Sequence, residues 1–201
     1  MARSWRQGST LRIVAGKYRG RAIAAPPGAN IRPTSDRARE SLFNILEHGR
    51  IAADLGIEID GARILDAFAG TGALGLEALS RGAKHVTFIE NARAARKCLL
   101  ENLASCDEQE NATILDRDAT SPPPTKQTVD IALLDPPYRA GLLKPTLIAL
   151  NKRGWFSDTT LILAELGSGE TFASPDILEE HDRRKYGAAQ IVFLSRRRTA
   201  Q

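Results

Sequence analysis

From about residue 62 onward, short aliphatic runs alternate with longer stretches in which apolar residues recur with helical spacing. The short runs have the length and composition of strands, and the longer stretches have the periodicity of amphipathic helices. Strands that are separated by helices pair in parallel and are covered by those helices. We predict strands at 63–66, 85–90, 113–115, 129–134 and 160–165, and helices at 73–81, 92–105 and 142–151. The fold class is therefore α/β, with a doubly wound, mostly parallel sheet.

Two segments lie outside this alternation. Residues 177–186 and 190–195 flank Gly187 and predict a C-terminal antiparallel hairpin, which brings the sheet to seven strands. Residues 11–25 predict two short strands around Gly16-Lys17-Tyr18, and a helix follows from Asp36 to Gly49. We therefore divide the chain into a small hairpin and helix extension at 1–50 and an α/β domain at 51–201.

The charge of the chain is unevenly distributed, although its net value is only +4. Residues 1–39 carry nine basic side chains and one acidic one, and residues 181–201 carry six and one. The segment between them carries 13 basic and 22 acidic side chains. Basic ends around an acidic body are typical of a protein that binds a polyanion.

Composition excludes several other classes of protein. No apolar run approaches the roughly 18 residues that span a bilayer, and the polar start lacks the apolar segment of a signal peptide. The two cysteines are too few for a disulfide framework or a zinc cluster. We expect a cytoplasmic monomer that binds no membrane and no metal.

A glycine-rich turn follows the first predicted strand, in Asp66-Ala67-Phe68-Ala69-Gly70-Thr71-Gly72-Ala73-Leu74-Gly75. Its G-x-G-x-x-G spacing lets the backbone approach a ligand, and the helix that follows offers free N–H groups. Glu90 ends the next strand, where a carboxylate can accept hydrogen bonds from both ribose hydroxyls. The arrangement predicts a nucleoside-binding site; a structural turn with an exposed glutamate is the alternative.

Two further carboxylates bear on the identity of the nucleoside. Asp66 lies beside the loop, where it would repel a pyrophosphate but suits an ammonium or sulfonium group. It therefore favours S-adenosylmethionine over NAD. Asp118, just after the third predicted strand, is either an acceptor for the adenine amino group or an ordinary turn residue, and the residues alone leave both open.

The sequence Asp135-Pro136-Pro137-Tyr138 follows an apolar strand, so that its carboxylate emerges at the carboxyl end, where ligands bind in open α/β sheets. Two prolines stiffen the turn and remove two N–H donors, which leaves carbonyl acceptors. Tyr138 offers an aromatic face to a planar base. Asp135 and the Pro136 carbonyl can take the two hydrogens of an exocyclic amino group and orient its nitrogen towards a methyl donor.

Together, the glycine loop and the Asp135–Tyr138 motif resemble those of Rossmann-like S-adenosylmethionine-dependent amino methyltransferases. The blocks at 11–21 and 32–46 are similar to those of the bacterial 16S ribosomal RNA (guanine-N2)-methyltransferases of the RsmD type, and the resemblance covers residues 11–196. It implies the formation of N2-methylguanosine in small-subunit rRNA, within an assembling or assembled subunit. The residues that it implies for the cofactor are Asp66, Phe68, Gly70, Gly72, Glu90 and Asp118, and those for the guanine are Asp135, Pro136, Pro137 and Tyr138.

Basic side chains near the amino terminus are interleaved with aromatic ones, which suits contacts to phosphates and stacking on bases. A solvated basic face is the alternative. The predicted RNA-binding residues are Arg12, Lys17, Tyr18, Arg19, Arg21, Arg32 and Arg37.

Three other functions remain open at the level of sequence. The same chemistry can act on adenine N6 or cytosine N4, in DNA or another RNA, although such DNA enzymes usually carry a target-recognition domain larger than the 50-residue extension. A dinucleotide oxidoreductase is disfavoured by Asp66 and by the double-proline turn. A non-catalytic RNA-binding assembly protein would need only the basic patch, and Asp135→Ala would leave its activity intact.

Overall fold

The structure, a computed structural model, describes residues 11–26 and 36–197 of the 201-residue chain. The helices are α1 (Asp36–His48), α2 (Arg50–Leu55), α3 (Ala73–Ser80), α4 (Arg93–Ser105) and α5 (Leu143–Lys152). The strands are β1 (Arg63–Ala67), β2 (His85–Ile89), β3 (Ala112–Leu115), β4 (Val129–Leu134), β5 (Phe156–Gly167), β6 (Leu178–Tyr186) and β7 (Ala189–Arg196). A 3-10 turn, Gln109–Asn111, precedes β3. The predicted elements of the α/β region are all present, with β5 longer than expected, whereas α2 was not predicted.

The strands form one sheet in the order β3-β2-β1-β4-β5-β7-β6. The pairs from β3 to β5 are parallel, and β7 pairs in antiparallel fashion with both β5 and β6. The predicted fold class, a mostly parallel seven-stranded sheet closed by an antiparallel hairpin, is confirmed. The chain moves outward from β1 to β3 and then returns to β4 on the other side of β1, so the order reverses between β1 and β4.

Each face of the sheet has its own hydrophobic core. Successive strand residues point to opposite faces, so Ile64 lies in one core and Leu65 in the other. Apolar side chains of α1, α3 and α4 cover the first face, and those of α5 cover the second. Helices on both faces explain why the central strands are almost continuously apolar.

The segment 11–26 folds back on itself, but the two predicted strands are reduced to a single antiparallel bridge between Arg12 and Ala22. The Glu77 carboxylate of α3 accepts hydrogen bonds from the backbone N–H groups of Val14 and Ala15, at 2.7 and 3.0 Å. Those groups therefore bond to a helix side chain instead of a neighbouring strand, which ends the ladder.

This folded-back segment is part of the first core. Leu11, Ile13 and Ile23 are buried together with Leu42 and Phe43 of α1. The predicted boundary near residue 50 stays a prediction, because the burial of the extension against the sheet does not show whether either part folds on its own. None of the helices within 11–26 and 36–197 combines the length and apolar character needed to cross a membrane.

Candidate active site

An open cavity of about 1500 Å³ lies at the carboxyl ends of β1, β4 and β5. This is the edge where the strand order reverses, which is the usual ligand position in doubly wound sheets. Its walls come from the start of α1, the glycine loop, the end of β2, the turn after β4, the end of β5 and the turn between β6 and β7. The cavity therefore brings together segments that are far apart in sequence.

Residues of the glycine loop adopt positive φ for different structural reasons. Gly70 has φ of +57°, and a Cβ there would meet nothing closer than 4.0 Å, so its open side faces the cavity. Gly72 has φ of +82°, and a Cβ there would lie 2.3 Å from Leu99 of α4. Phe68 lines the cavity with φ of +63°, an uncommon conformation for a residue with a side chain. Gly72 is thus required by packing, whereas Phe68 and Gly70 shape the wall.

Glu90 lines the cavity just after β2, and both of its oxygens are held by backbone groups. One accepts a hydrogen bond from Gly70 N–H at 2.8 Å, and the other accepts one from Ala92 N–H at 2.7 Å. A carboxylate oxygen has a second lone pair, so each can accept a further hydrogen bond. The carboxylate is fixed and still able to bind two hydroxyls.

Asp66 lies at the end of β1, as predicted, but it does not line the cavity. Its side chain is buried and accepts a hydrogen bond from Gly75 N–H in α3 at 2.9 Å. Burial raises the pKa of Asp66 to about 7; the Gly75 hydrogen bond acts against that rise, and the charge of Glu90 adds to it. The contacts of Asp66 hold the glycine loop against its helix.

Asp118 is exposed and also lies outside the residues that line the cavity. Its carboxylate accepts hydrogen bonds from the backbone N–H and the hydroxyl of Thr120, at 2.8 and 2.7 Å. These two hydrogen bonds lower the pKa of Asp118. The contacts are those of a turn residue.

The motif after β4 has all four residues at the cavity wall: Asp135, Pro136, Pro137 and Tyr138. Asp135 is held next to β1, since its N–H donates to the Ala67 carbonyl at 3.4 Å. Burial raises the pKa of the Asp135 carboxyl to about 8, and the nearby charges of Glu165 and Asp66 contribute to the rise. An acidic group that resists ionisation in a cavity is typical of a functional site.

Glu165, near the end of β5, was missed in the sequence. Leu134 is in register with Ala164, so Glu165 lies beside Asp135 on the neighbouring strand. The Tyr138 hydroxyl donates a short hydrogen bond to the Glu165 carboxylate, which is buried. The sequence did contain a signal for Glu165, because the predicted strand 160–165 ends on this carboxylate at the same edge of the sheet as Asp135.

The segment 167–170, called the lip below, forms another part of the cavity wall. The Glu170 carboxylate accepts hydrogen bonds from the N–H groups of Arg139 and Gly167, at 2.8 and 3.2 Å. The buried Gln190 amide of β7 donates to the carbonyls of Gly167 and Glu170, at 3.0 and 2.7 Å. The lip is therefore fixed to β7 and in turn holds the turn after Tyr138.

The first three members of the predicted RNA-binding set have partners within the protein. Arg12 forms an ion pair with Asp36 at 2.8 Å. Lys17 and Tyr18 both contact the buried carboxylate of Glu108, at 2.5 and 2.8 Å, and that contact raises the pKa of Lys17. These three residues thus have structural roles that the sequence did not show.

The remaining members differ in their positions. Arg19 and Arg21 are exposed on the folded-back segment, and the Arg21 guanidinium lies 5.2 Å from the centre of the Tyr18 ring. Arg37 is exposed at the start of α1 and lines the cavity. Arg32 lies outside the described residues. Arg12 and Lys17 are exposed but paired, whereas Arg19, Arg21 and Arg37 are exposed and form no ion pair within residues 11–26 and 36–197.

A family model described as conserved hypothetical protein 95 matches residues 11–195. That range contains the folded-back segment, the glycine loop and the motif after β4. The chain belongs to this family. The motifs predicted an RsmD-type methyltransferase, and curated relatives of that type confirm this prediction.

Two curated relatives, each named ribosomal RNA small subunit methyltransferase D, are similar over most of their length. The protein from Escherichia coli (strain K12) is 43% identical over 156 residues, which cover 77% of this chain and 74% of the relative. The protein from Haemophilus influenzae is 33% identical over 170 residues, which cover 83% of each.

Solved structures agree with this family assignment. The Escherichia coli protein yhhF has a TM-score of 0.78 and 37% identity, with 93% of this chain and 98% of that chain covered. HI0767 from Haemophilus influenzae has a TM-score of 0.74 and 28% identity, with the same coverage. The sheet therefore has a Rossmann-like methyltransferase fold.

Proposed function

We propose that the protein transfers a methyl group from S-adenosylmethionine to the exocyclic N2 nitrogen of a guanine in 16S ribosomal RNA. The observation that carries this proposal is that Glu90 and Gly70 share one cavity with Asp135, Pro136 and Tyr138. Residues suited to a nucleoside and residues suited to an amino group thus face the same space. The names of the relatives support ribosomal RNA as the substrate.

S-adenosylmethionine supplies an electrophilic methyl group when it is bound. The residues present fit its nucleoside. The Glu90 carboxylate is fixed by two backbone N–H groups and each of its oxygens can accept one more hydrogen bond, and Gly70 leaves open space beside it. We assign the ribose hydroxyls to Glu90 and the adjoining wall to Phe68 and Gly70. Asp66 acts indirectly, by holding the loop through its hydrogen bond to α3.

We assign the guanine to the turn after β4. The Asp135 carboxylate and the Pro136 carbonyl accept the two hydrogens of N2, and the Tyr138 ring stacks on the base. The lone pair of N2 is delocalised into the ring, so fixing the direction of the nitrogen is the main contribution of these groups. The hydrogen bond from Tyr138 to Glu165 fixes the position of the hydroxyl end of the aromatic ring.

Methylation of an amino group releases one proton. We assign that proton to Asp135 in its ionised form, because burial and the neighbouring charge of Glu165 favour the protonated carboxyl that results. The protein acts as a cytoplasmic monomer on an assembling or assembled small subunit, with the exposed arginines of the extension in contact with RNA.

The test is methyl transfer from labelled S-adenosylmethionine to unmethylated small ribosomal subunits, free 16S rRNA and DNA in parallel. We expect label in the subunit or its rRNA, recovered as N2-methylguanosine at one position by nuclease digestion and mass spectrometry. Label in DNA, or in another base, would overturn the substrate assignment.

Two controls separate the parts of the proposal. Asp135→Ala should abolish transfer while calorimetry still detects binding of S-adenosylhomocysteine. Tight binding of NAD without binding of S-adenosylhomocysteine would contradict the cofactor assignment. A variant that still supports the biological role of the protein without transfer would favour a non-catalytic assembly protein.

A further inference from the structure

The charged groups that line the cavity are mostly negative. Among the described residues, four carboxyl groups and two guanidinium groups line it: Glu90, Asp135, Glu165 and Glu170, with Arg37 and Arg139. A nucleotide carries its charge on the phosphate and not on the base, so the base can enter among carboxylates while the phosphate cannot. Of the described residues that line the cavity, the two arginines are therefore the ones that attract an RNA phosphate.

Arg139 is held in a conformation that residues with side chains rarely adopt. Its φ is +61°, in the left-handed region, and its N–H donates to the Glu170 carboxylate at 2.8 Å. Glu170 belongs to the lip, which Gln190 fixes from β7. Strained conformations that the surrounding structure enforces are concentrated at ligand-binding sites.

The guanidinium of Arg139 is exposed and forms no ion pair within residues 11–26 and 36–197. Arg183 and Arg184 on β6 are different, because each is paired with a carboxylate at 2.8 or 2.6 Å. Arg139 therefore retains its charge and its hydrogen-bond donors for a ligand at the cavity wall.

We propose that Arg139 is a phosphate-binding residue that holds an RNA phosphodiester next to the target guanine, with Arg37 contributing from α1. The inference rests on the proposed function, because it takes RNA as the substrate. Arg139 follows Tyr138 directly, so the residue that stacks on the base and the residue that holds its backbone are adjacent. A guanidinium suits this role because it binds two phosphate oxygens at once.

The test compares Arg139→Gln, Arg139→Lys and Arg139→Gly with Arg153→Gln. Arg153 is also exposed but lies after α5, at the opposite edge of the sheet, where its carbonyl accepts a hydrogen bond from the Thr125 N–H. Arg153→Gln therefore makes the same change in charge as Arg139→Gln, but away from the cavity. Glycine adopts positive φ without strain, so Arg139→Gly removes the guanidinium while favouring the same backbone. The measurement is the dissociation constant for unmethylated small subunits, with S-adenosylhomocysteine present, between about 50 and 200 mM salt.

We expect Arg139→Gln and Arg139→Gly to weaken subunit binding about five-fold and to reduce the salt slope of log K by about 0.7–0.9. Arg139→Lys should retain most of the slope, and Arg153→Gln should match the wild type. Calorimetric binding of S-adenosylhomocysteine should be unchanged in all four, which shows that the cavity is intact.

Wild-type affinity and slope in both Arg139→Gln and Arg139→Gly would overturn the inference, even if the wild type methylates small subunits. Equal losses in Arg139→Gln and Arg153→Gln would also overturn it, because net charge would then explain the effect. A wild type that transfers no methyl group, yet binds subunits through Arg139, would overturn the proposed function alone.

Discussion

At the scale of single residues, Asp135 is placed where its charge is unfavourable. It is half-buried at the cavity wall, beside the buried Glu165 and near the buried Asp66, so three carboxyl groups lie close together. A binding site often retains such an arrangement at the expense of stability, because the hydrogen-bond partners of these groups come from the ligand and not from the empty protein. The amide in Asp135→Asn keeps the shape and a carbonyl acceptor but never ionises.

We predict that the contribution of Asp135 to the free energy of unfolding of the wild type falls as pH rises from about 4 to about 8. The folded protein keeps the Asp135 proton up to about pH 8, whereas the unfolded chain releases it near the ordinary value of 3.8, so rising pH favours unfolding. Asp135→Asn should lose part of this dependence and exceed the wild type by about 1–3 kcal/mol at pH 8. Urea denaturation at pH 5 and pH 8 measures both quantities.

Asp118→Asn is the control for this prediction. Asp118 is exposed and its pKa is lowered by Thr120, so its substitution should not stabilise the protein at pH 8. An Asp135→Asn variant with the same pH dependence as the wild type would contradict the assignment of the raised pKa.

The sequence predicted the position of the site residues better than their contacts. Asp135 and Glu90 were located correctly because each follows an apolar strand, and strand ends share one edge of the sheet. The direction of the Asp66 side chain, towards Gly75, depends on where α3 lies and has no local signal. Glu170 was missed for a similar reason, since its partner Arg139 is 31 residues away.

At the scale of elements, the contact between the folded-back segment and α3 depends on one glycine. Gly16 has φ of +78°, and a Cβ there would lie 1.9 Å from the Ser80 carbonyl oxygen. The Ser80 hydroxyl also bonds the Ala15 carbonyl and the Tyr18 N–H, at 2.6 and 2.9 Å. Neither the backbone of Ser80 nor that of Gly16 can move without breaking these hydrogen bonds.

We predict that Gly16→Ala destabilises the protein far more than Gly20→Ala. Both glycines have positive φ, but a Cβ at Gly20 would meet nothing within 4 Å, so this variant adds only backbone strain. We expect about 1 kcal/mol for Gly20→Ala and about 3 kcal/mol or more for Gly16→Ala, where a steric overlap is added. Urea denaturation gives both values, and faster tryptic cleavage at Arg19 in Gly16→Ala reports release of the segment.

Equal losses in the two variants would mean that the segment does not contact α3 in solution. The sequence placed a turn at Gly16 but predicted strands on either side of it. The alternation of apolar and basic residues had the period of a strand, and the two arms do exchange backbone hydrogen bonds near the Arg12–Ala22 bridge. The N–H groups of Val14, Ala15 and Ala24 bond instead to side chains of α3 and α4. Period alone cannot distinguish these two kinds of partner.

At the scale of the whole molecule, the basic extension and the acidic cavity form two separate regions. Arg19 and Arg21 lie on the folded-back segment and do not line the cavity. Their contribution should therefore be to the affinity for RNA and not to cofactor binding. Arg12 is exposed as well but is held in place, since its side chain pairs with Asp36 and its carbonyl accepts from Arg39 at 2.5 Å.

We predict that the double variant Arg19→Glu, Arg21→Glu weakens binding of small subunits by about ten-fold or more at moderate salt. The control is Lys152→Glu with Arg153→Glu, which makes the same change in charge on exposed residues at the end of α5. Filter binding at several salt concentrations gives the affinity and the slope. The same loss in both double variants would assign the effect to net charge and would remove the extension from the RNA-binding surface.

The position of β7 between β5 and β6 has a consequence for the order of folding during synthesis. The parallel part of the sheet is complete once β5 has left the ribosome, but the partner of β5 on its outer side comes from residues 189–196. Gln190, which fixes the lip, lies in the same strand. We therefore expect a nascent chain that ends before β7 to pair its parallel strands while the lip still lacks its hydrogen bonds to Gln190, so that this wall of the cavity forms last.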